Sequence, residues 1–337
     1  MSSETLELSA PLPLGAAANA ETPPKTWWQG LIAVLAWAGA AGLTVLWPDE
    51  DTWDFTPHLA ALLAVLTVVL AAAALTERRL PPLSARLRPL GPWLIALAIL
   101  VSLWQVVTAK LGLLPRPFFH PPQSLLEVYL SDWEMLGISV AHSLRLLLLG
   151  YAIGASLGFI AGIGLGWSKP VAYWGHPVLR LIGPLPATAW LPIAFFAFPS
   201  SASASIFLVA LASGIPVAIL TWSGVSGVAN AYYDIARTLG ASSRFLVFKV
   251  AIPAAMPHVF VGLFMGLGSS FAVLVVAEML GVKAGLGWYM QWAQGWGAYG
   301  NMYAALLVLA LMCAGLVALL FKIRDRLLAW QKGMVRW

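Results

Sequence analysis

Long apolar runs separated by short charged or proline-rich segments dominate this chain. A helix needs about 20 predominantly apolar residues to cross a hydrocarbon core. On that rule the sequence predicts eight spans, near Trp28–Trp47, Leu59–Leu75, Trp93–Ala109, Ser139–Trp167, His176–Phe198, Ser205–Trp222, His258–Leu280 and Met302–Phe321. The fifth is interrupted by Pro177, Pro184, Pro186 and Pro192. It is expected to be kinked or partly unwound, which is tolerated only where protein or a cavity shields the backbone. The expected fold class is therefore all-α, a polytopic helical membrane protein.

Charge orients the spans. With the N-terminus in the cytoplasm, the cytoplasmic segments carry Lys25, Arg78, Arg79, Arg86, Arg88, Lys169, Arg237, Arg244, Lys249, Lys322, Arg324, Arg326, Lys332 and Arg336. These are fourteen of the 19 basic residues. The opposite side holds Lys110, Arg116 and Lys283, with an acidic loop of Asp49, Glu50, Asp51 and Asp54. The positive-inside bias predicts that both termini are cytoplasmic. Tryptophans at span ends (Trp27, Trp28, Trp47, Trp93, Trp167, Trp222) fit an interfacial belt. Residues 1–26 are polar and Pro/Ala-rich and lack the basic-then-apolar order of a signal peptide, so a disordered cytoplasmic tail is expected.

Composition adds mainly exclusions. Charged residues make up 10% of the chain, against about 25% in soluble domains. The net charge of +5 resides in short loops, so it reads as orientation and not as a nucleic-acid face. The single cysteine, Cys313, offers neither an intrachain disulfide nor a metal cluster. No G-x-x-x-x-G-K-[ST], H-E-x-x-H or G-x-S-x-G motif occurs, so the chain is not expected to be an enzyme by itself.

Two features inside the spans stand out. Gly150, Gly154, Gly158, Gly162 and Gly166 form a four-residue ladder, a face on which another helix can approach closely. It reads as tight packing, and a surface that slides during conformational change is compatible with it. Ionisable residues are few and lie near helix ends: His142, Arg145, Arg180 and Glu278. The arginines can snorkel. Glu278 cannot reach far, and it either secures a helix end or stands in a translocation path. No mid-bilayer proton relay is visible, which disfavours an ion-coupled carrier.

The loop between the sixth and seventh spans is the most patterned. From Asn230 to Pro253 it can form a short helix ending at Gly240, a residue suited to the left-handed position after a helix, then a second short helix capped by Ser242 or Ser243. Pro253 and Pro257 would mark the return to the membrane. This loop resembles the EAA motif of ABC importer permeases, E-A-A-x3-G-x9-I-x-L-P. Asp234, Ile235, Ala236, Gly240, Val250, Ile252 and Pro253 fall on its positions at unbroken spacing, with Asp for Glu, Ile for the first Ala, Val for Ile and Ile for Leu. The runs Gly183–Pro192, Thr238–Ser242, Ala277–Gly281, Gly285–Tyr289 and Pro121–Val128 resemble the nitrate/sulfonate/taurine branch of that family. The likeness covers roughly residues 93–337.

The resemblance implies a type I importer core of six spans (93–337, coupling loop about 224–257), preceded by two additional helices and a basic linker (27–92). It implies a multi-pass permease of the bacterial inner membrane, working as a homodimer with a dimeric ABC ATPase subunit that holds ATP and Mg, and with a periplasmic solute-binding protein. No cofactor or metal is expected in this chain, and no nucleic-acid partner. The solute would be a small oxyanion such as a sulfonate, taurine or nitrate. Asp234, Ala236, Arg237, Gly240 and Pro253 would meet the ATPase. Trp190 and Glu278 are candidates for the pathway, although Trp190 also reads as a packing aromatic. The rival reading is an ATP-independent channel or facilitator.

Overall fold

The structure, a computed structural model, describes residues 27–75 and 87–331. The proposed N-terminal tail, together with Lys25, Arg78, Arg79, Arg86, Lys332 and Arg336, lies outside the described residues. Every regular element among those residues is helical. In order they are α1 (Trp28–Leu46), α2 (Thr56–Leu75), α3 (Gly91–Gln105), α4 (Pro122–Ser131), α5 (Trp133–Trp167), α6 (Lys169–Ile182), α7 (Leu191–Ala197), α8 (Ser201–Ser226), α9 (Asn230–Thr238), α10 (Ile252–Gly281), α11 (Leu286–Gly295) and α12 (Tyr299–Leu327). The chain divides into two compact units: α1 to α3 make one, and residues 50–55 with everything from Val107 onward make the other.

In the first unit α1 buries Gly30, Ala33, Trp37, Ala40 and Thr44, a stripe at helical spacing. The Trp37 indole N–H donates to the Leu94 carbonyl (3.1 Å), and Thr44 and Gln105 meet through their side chains (2.9 Å). These polar contacts tie α1 to α3 where lipid offers no competing partner. α2 buries only Leu59 and Leu63.

The second unit is organised around α8. The glycine ladder of α5 faces it directly. A Cβ on Gly150 would fall 2.7 Å from Val209, and one on Gly166 would fall 2.6 Å from Val225. Between them, Gly154 meets the Ala210 carbonyl, Gly158 the Gly214 carbonyl and Gly162 the Ala218 carbonyl and Thr221. Partner numbers rise together, so α5 and α8 run parallel. The other side of α8 packs on α10 in the opposite sense. There Gly224 approaches His258, Gly262 approaches Val217 and Gly266 approaches the Ser213 carbonyl. That second small-residue seam carries a G-x-x-x-G spacing at Gly262 and Gly266, a signal the ladder overshadowed. α12 covers α10 through Leu309, Met312, Cys313 and Leu316.

The parallel α5–α8 pair decides the fifth span. Among the described residues, seven helices are long and apolar enough to cross a bilayer, or eight if one bent pair counts as a span. That pair, Lys169–Ile182 and Ala187–Ala197, bends by 87°. Two consecutive parallel crossings require the chain between them to return, so residues 169–197 make one net traverse. The kink or unwinding expected there takes the form of a full break between two helices. Pro184 and Pro186 supply the break: neither donates an N–H, and Pro186 is itself extended (ψ 135°) ahead of the next helical turn. Several spans also begin earlier than hydropathy suggests: α5 starts at Trp133, and its 35 residues exceed a bilayer's thickness.

Candidate functional site

The patterned loop forms the knob its sequence predicts. α9 ends with Leu239 as its C-cap, and Gly240 follows with φ +81°. The Gly240 N–H donates to the Arg237 carbonyl (2.9 Å) and the Ala241 N–H to the Ala236 carbonyl (3.0 Å), the paired bonds of a Schellman turn. Ser242 then caps the next turn by accepting from the Phe245 N–H (3.3 Å). The end of α9 and the start of the next helical run are thus both closed by residues of the loop itself.

α9 is seated by one face only. Tyr233 packs with Val225, Ala251 and Ala255 and meets Trp167 edge-on. Burial raises the Tyr233 phenol above its usual range, with Arg237 opposing, so it stays neutral. No residue of α9 is fully buried, and Tyr232, Ile235 and Leu239 lie exposed at 62%, 61% and 83%. Spaced i, i+3 and i+7, these three share one face. Asp234 and Arg237 pair across 3.5 Å beside them and are exposed. Ala236 is half-buried, and Pro253 sits in the first turn of α10. Among the expected contact residues, Asp234, Arg237 and Gly240 therefore face outward. The apolar triplet was not among them, although its spacing is plain in the sequence.

The second short helix predicted after Gly240 is not separate. Ser243–Gly281 is one continuous helical run of 39 residues. A π turn at Leu246–Ala251 absorbs the disturbance that Pro253 would otherwise cause, because the wider turn leaves room for its ring. The part of the knob after the Gly240 turn is therefore the foot of α10.

The far end of α10 carries Glu278, which is fully buried. The Ser143 hydroxyl of α5 lies 2.7 and 2.9 Å from its two carboxyl oxygens. The Gly287 N–H donates to Oε2 (2.8 Å), and the Leu286 N–H donates to the Ser143 Oγ (2.8 Å). Leu286 and Gly287 are the first residues of α11, whose N-cap, Gly285, has no side chain to cap with. Glu278 and Ser143 thus satisfy two of the open N–H groups that begin every helix, and a carboxyl there also faces the positive end of the helix dipole. Gly285 has φ +116°, and a Cβ on it would collide with the Glu278 carboxyl. Further along α11, the Tyr289 hydroxyl donates to Asp132 and accepts from the Asn301 amide (2.7 Å). Burial first, then the Asp132 bond, holds that phenol above its ordinary range, so it remains a donor.

Of the two pathway candidates, Glu278 is enclosed as described, while Trp190 is half-buried against the cluster of Ala187, Leu191, Ala194 and Ala204. An apolar cleft of about 560 Å³ opens beside the ladder, lined by Leu157, Leu179, Phe207, Leu211 and Ile215 among others, with Ser203 its single hydroxyl. Such walls would strip water from an oxyanion and return almost no hydrogen bonds.

A model of the family described as "Binding-protein-dependent transport system inner membrane component" matches residues 154–332. The chain is 29% identical to the nitrate import permease protein NrtB of Synechococcus elongatus over 80% of this chain and 98% of that one. It is 32% identical to the taurine transport system permease protein TauC of Escherichia coli (69% and 87%), and 28% identical to a putative aliphatic sulfonates transport permease protein, SsuC, of Bacillus subtilis (70% and 86%). Among solved structures, one of inward-facing conformations of the MetNI methionine ABC transporter is similar at 18% identity and a TM-score of 0.48, covering 57% of this chain and 94% of that one.

Proposed function

This chain belongs to the family of binding-protein-dependent transport inner membrane components, and from that premise we propose that it admits a small oxyanion, a sulfonate such as taurine or nitrate, by ATP-driven alternating access. Its place among ABC importer permeases makes it a multi-pass transport subunit of a membrane. The power stroke is proposed to come from a separate ATPase subunit that holds ATP and Mg. Two copies of the chain, two ATPase subunits and a periplasmic binding protein complete the proposed assembly, with both termini in the cytoplasm of a bacterial inner membrane.

The observation that carries the reading is α9. A short helix with an exposed apolar face of Tyr232, Ile235 and Leu239, held outside the bundle and closed at its C-terminal end by the Gly240 turn, has the form of a docking element. Asp234 and Arg237 rim that face and would set the orientation of docking. The solute assignment rests on the nitrate, taurine and sulfonate permeases to which the chain is similar. The test is co-purification with the candidate ATPase and binding protein, followed by nitrate- and taurine-stimulated ATP hydrolysis in proteoliposomes. Solute flux through the chain alone, without ATP or an ATPase, would overturn the proposal and favour a channel. A reporter fused after Arg237 that signals the outside would do so too, since α9 could then never meet an ATPase.

A further inference from the structure

The Glu278 carboxyl caps a helix that is not its own, and it does so from the last turn of α10. The same helical run begins at Ser243, at the foot of the α9 knob. At about 1.5 Å per residue its 39 residues reach roughly 58 Å, from the knob to the opposite end of the bundle. We propose that Glu278 is a positioning residue that fastens α11 to α10, so that α11 follows any displacement of α10 imposed at the knob. The proposal builds on the reading of α9 as the ATPase contact.

Three features of the geometry support a fastening over a solute contact. Each Glu278 oxygen already has a donor within the chain, Ser143 on one and Gly287 on the other, and the side chain is fully buried, out of a solute's reach. The N-terminus of α11 is occupied for the same reason: the carboxyl sits where an external anion would otherwise bind. The glycines of the segment fit this contact too. Gly285 must lack a side chain to rest against the carboxyl, and Gly287 to approach Val275 and the Glu278 Cβ. Ser143 brings α5 into the same joint, by accepting from Leu286 and donating to Glu278. A single hydroxyl thereby links three helices.

The test uses the full chain with Cys313→Ser, carrying nitroxide labels at the exposed positions Leu280 on α10 and Trp296 at the end of α11. Glu278→Ala should broaden the label-to-label distance distribution. Glu278→Gln should leave it narrow, because the carboxamide oxygen still accepts from Gly287 and its NH₂ can donate to Ser143. In the reconstituted assembly, Glu278→Ala should lower taurine or nitrate uptake per ATP hydrolysed at least tenfold while the ATPase stays bound, and Glu278→Gln should largely retain coupling. Ser143→Ala should show the same changes more weakly. It should add nothing to Glu278→Ala, because the two act through one joint. Should Glu278→Ala fail to accumulate in the membrane, Ser143→Ala carries the same comparison.

An unchanged distance distribution in the alanine variants would overturn the proposal. So would a Glu278→Gln variant whose only defect is a raised apparent KM, which is the mark of a solute ligand. If the unmodified chain retains no ATPase, the reading of α9 fails instead, and the label distances still decide the fastening.

Discussion

Two of the short helices between the long spans of the second unit, α9 and α11, are built in opposite ways. α9, of 9 residues, has no fully buried side chain, and its C-terminal end is closed by the Gly240 turn of its own loop. α11, of 10 residues, buries Leu286, Gly287, Tyr289, Met290 and Ala293 and is closed by Glu278 and Ser143 from two other helices. The first is autonomous and presents a surface. The second is dependent, and its place is dictated by α5 and α10. An element meant to engage another protein must keep its shape without burial, so local turn chemistry has to hold it. An element in the bundle can leave its N–H groups to neighbours, and then it moves only when they do.

The largest effect on both helices should come from Gly158→Leu. The ladder helix holds Ser143 toward the α11 end and Trp167 beside α9, and Gly158 rests on the Gly214 backbone. A leucine there cannot be accommodated by a rotamer change. Overpacking of this kind costs about 1–3 kcal/mol or more, so little assembled protein should survive size-exclusion chromatography in detergent. Normal assembly and uptake would show that this face does not pack on α8.

Next come the two positive-φ glycines, which separate the helices most cleanly. Gly285→Ala puts a methyl group into the buried Glu278 carboxyl, whereas an added Cβ on Gly240 meets nothing within 4 Å. Gly240→Ala should cost only the left-handed backbone term, about 1–2 kcal/mol, and Gly240→Val more, with insertion intact and coupling reduced. Gly285→Ala should lower the thermal midpoint further than Gly240→Ala. Equal shifts would mean that α11 is not held as the geometry indicates.

Asp234→Lys should be smaller still for the fold. The pair with Arg237 is exposed at 3.5 Å, so stability should change by less than ~1 kcal/mol. ATPase retention should nevertheless fall, on the order of tenfold, if that charge meets a complementary one when docked. A pull-down in which Asp234→Lys holds the ATPase like the parent would remove Asp234 from the docking surface.

The smallest effect concerns pH at the α11 end. His120 lies against Gly300 at the start of α12, and burial, then Arg116, lowers its pKa from 6.5. A lowered histidine favours the neutral folded form. Its contribution is therefore intact above about pH 6.5 and is lost as pH falls from there toward the folded value. The thermal midpoint should drop between pH 7.5 and 5.5, and His120→Gln should flatten that part of the profile.

How much of this could be read beforehand follows from the same contrast. The α9 knob was legible down to the φ of Gly240 and the Ser242 cap, because every partner lies within a few residues. The ladder was legible as a packing face, but its partner was not, since periodicity shows that a face exists and not what covers it. The interruption of the fifth span was legible from its prolines, but they announce a break without giving its angle, and the 87° bend depends on what each half packs against. Glu278 was conspicuous as an ionisable residue near a span end, yet its hydrogen bonds reach Ser143, 135 positions away.

The sequence by itself determined the all-helical membrane class, the span positions to within a turn or two, the seam of small residues and the self-capped knob. Each depends on composition, on period or on contacts between near neighbours, all of which survive in one dimension. Only the tertiary structure decided that α5 and α8 run parallel, that the segment after the Gly240 turn is continuous with α10, and that a carboxyl at one end of that rod caps α11. Those facts turn on which helices meet, and a run of apolar residues suits many neighbours equally well.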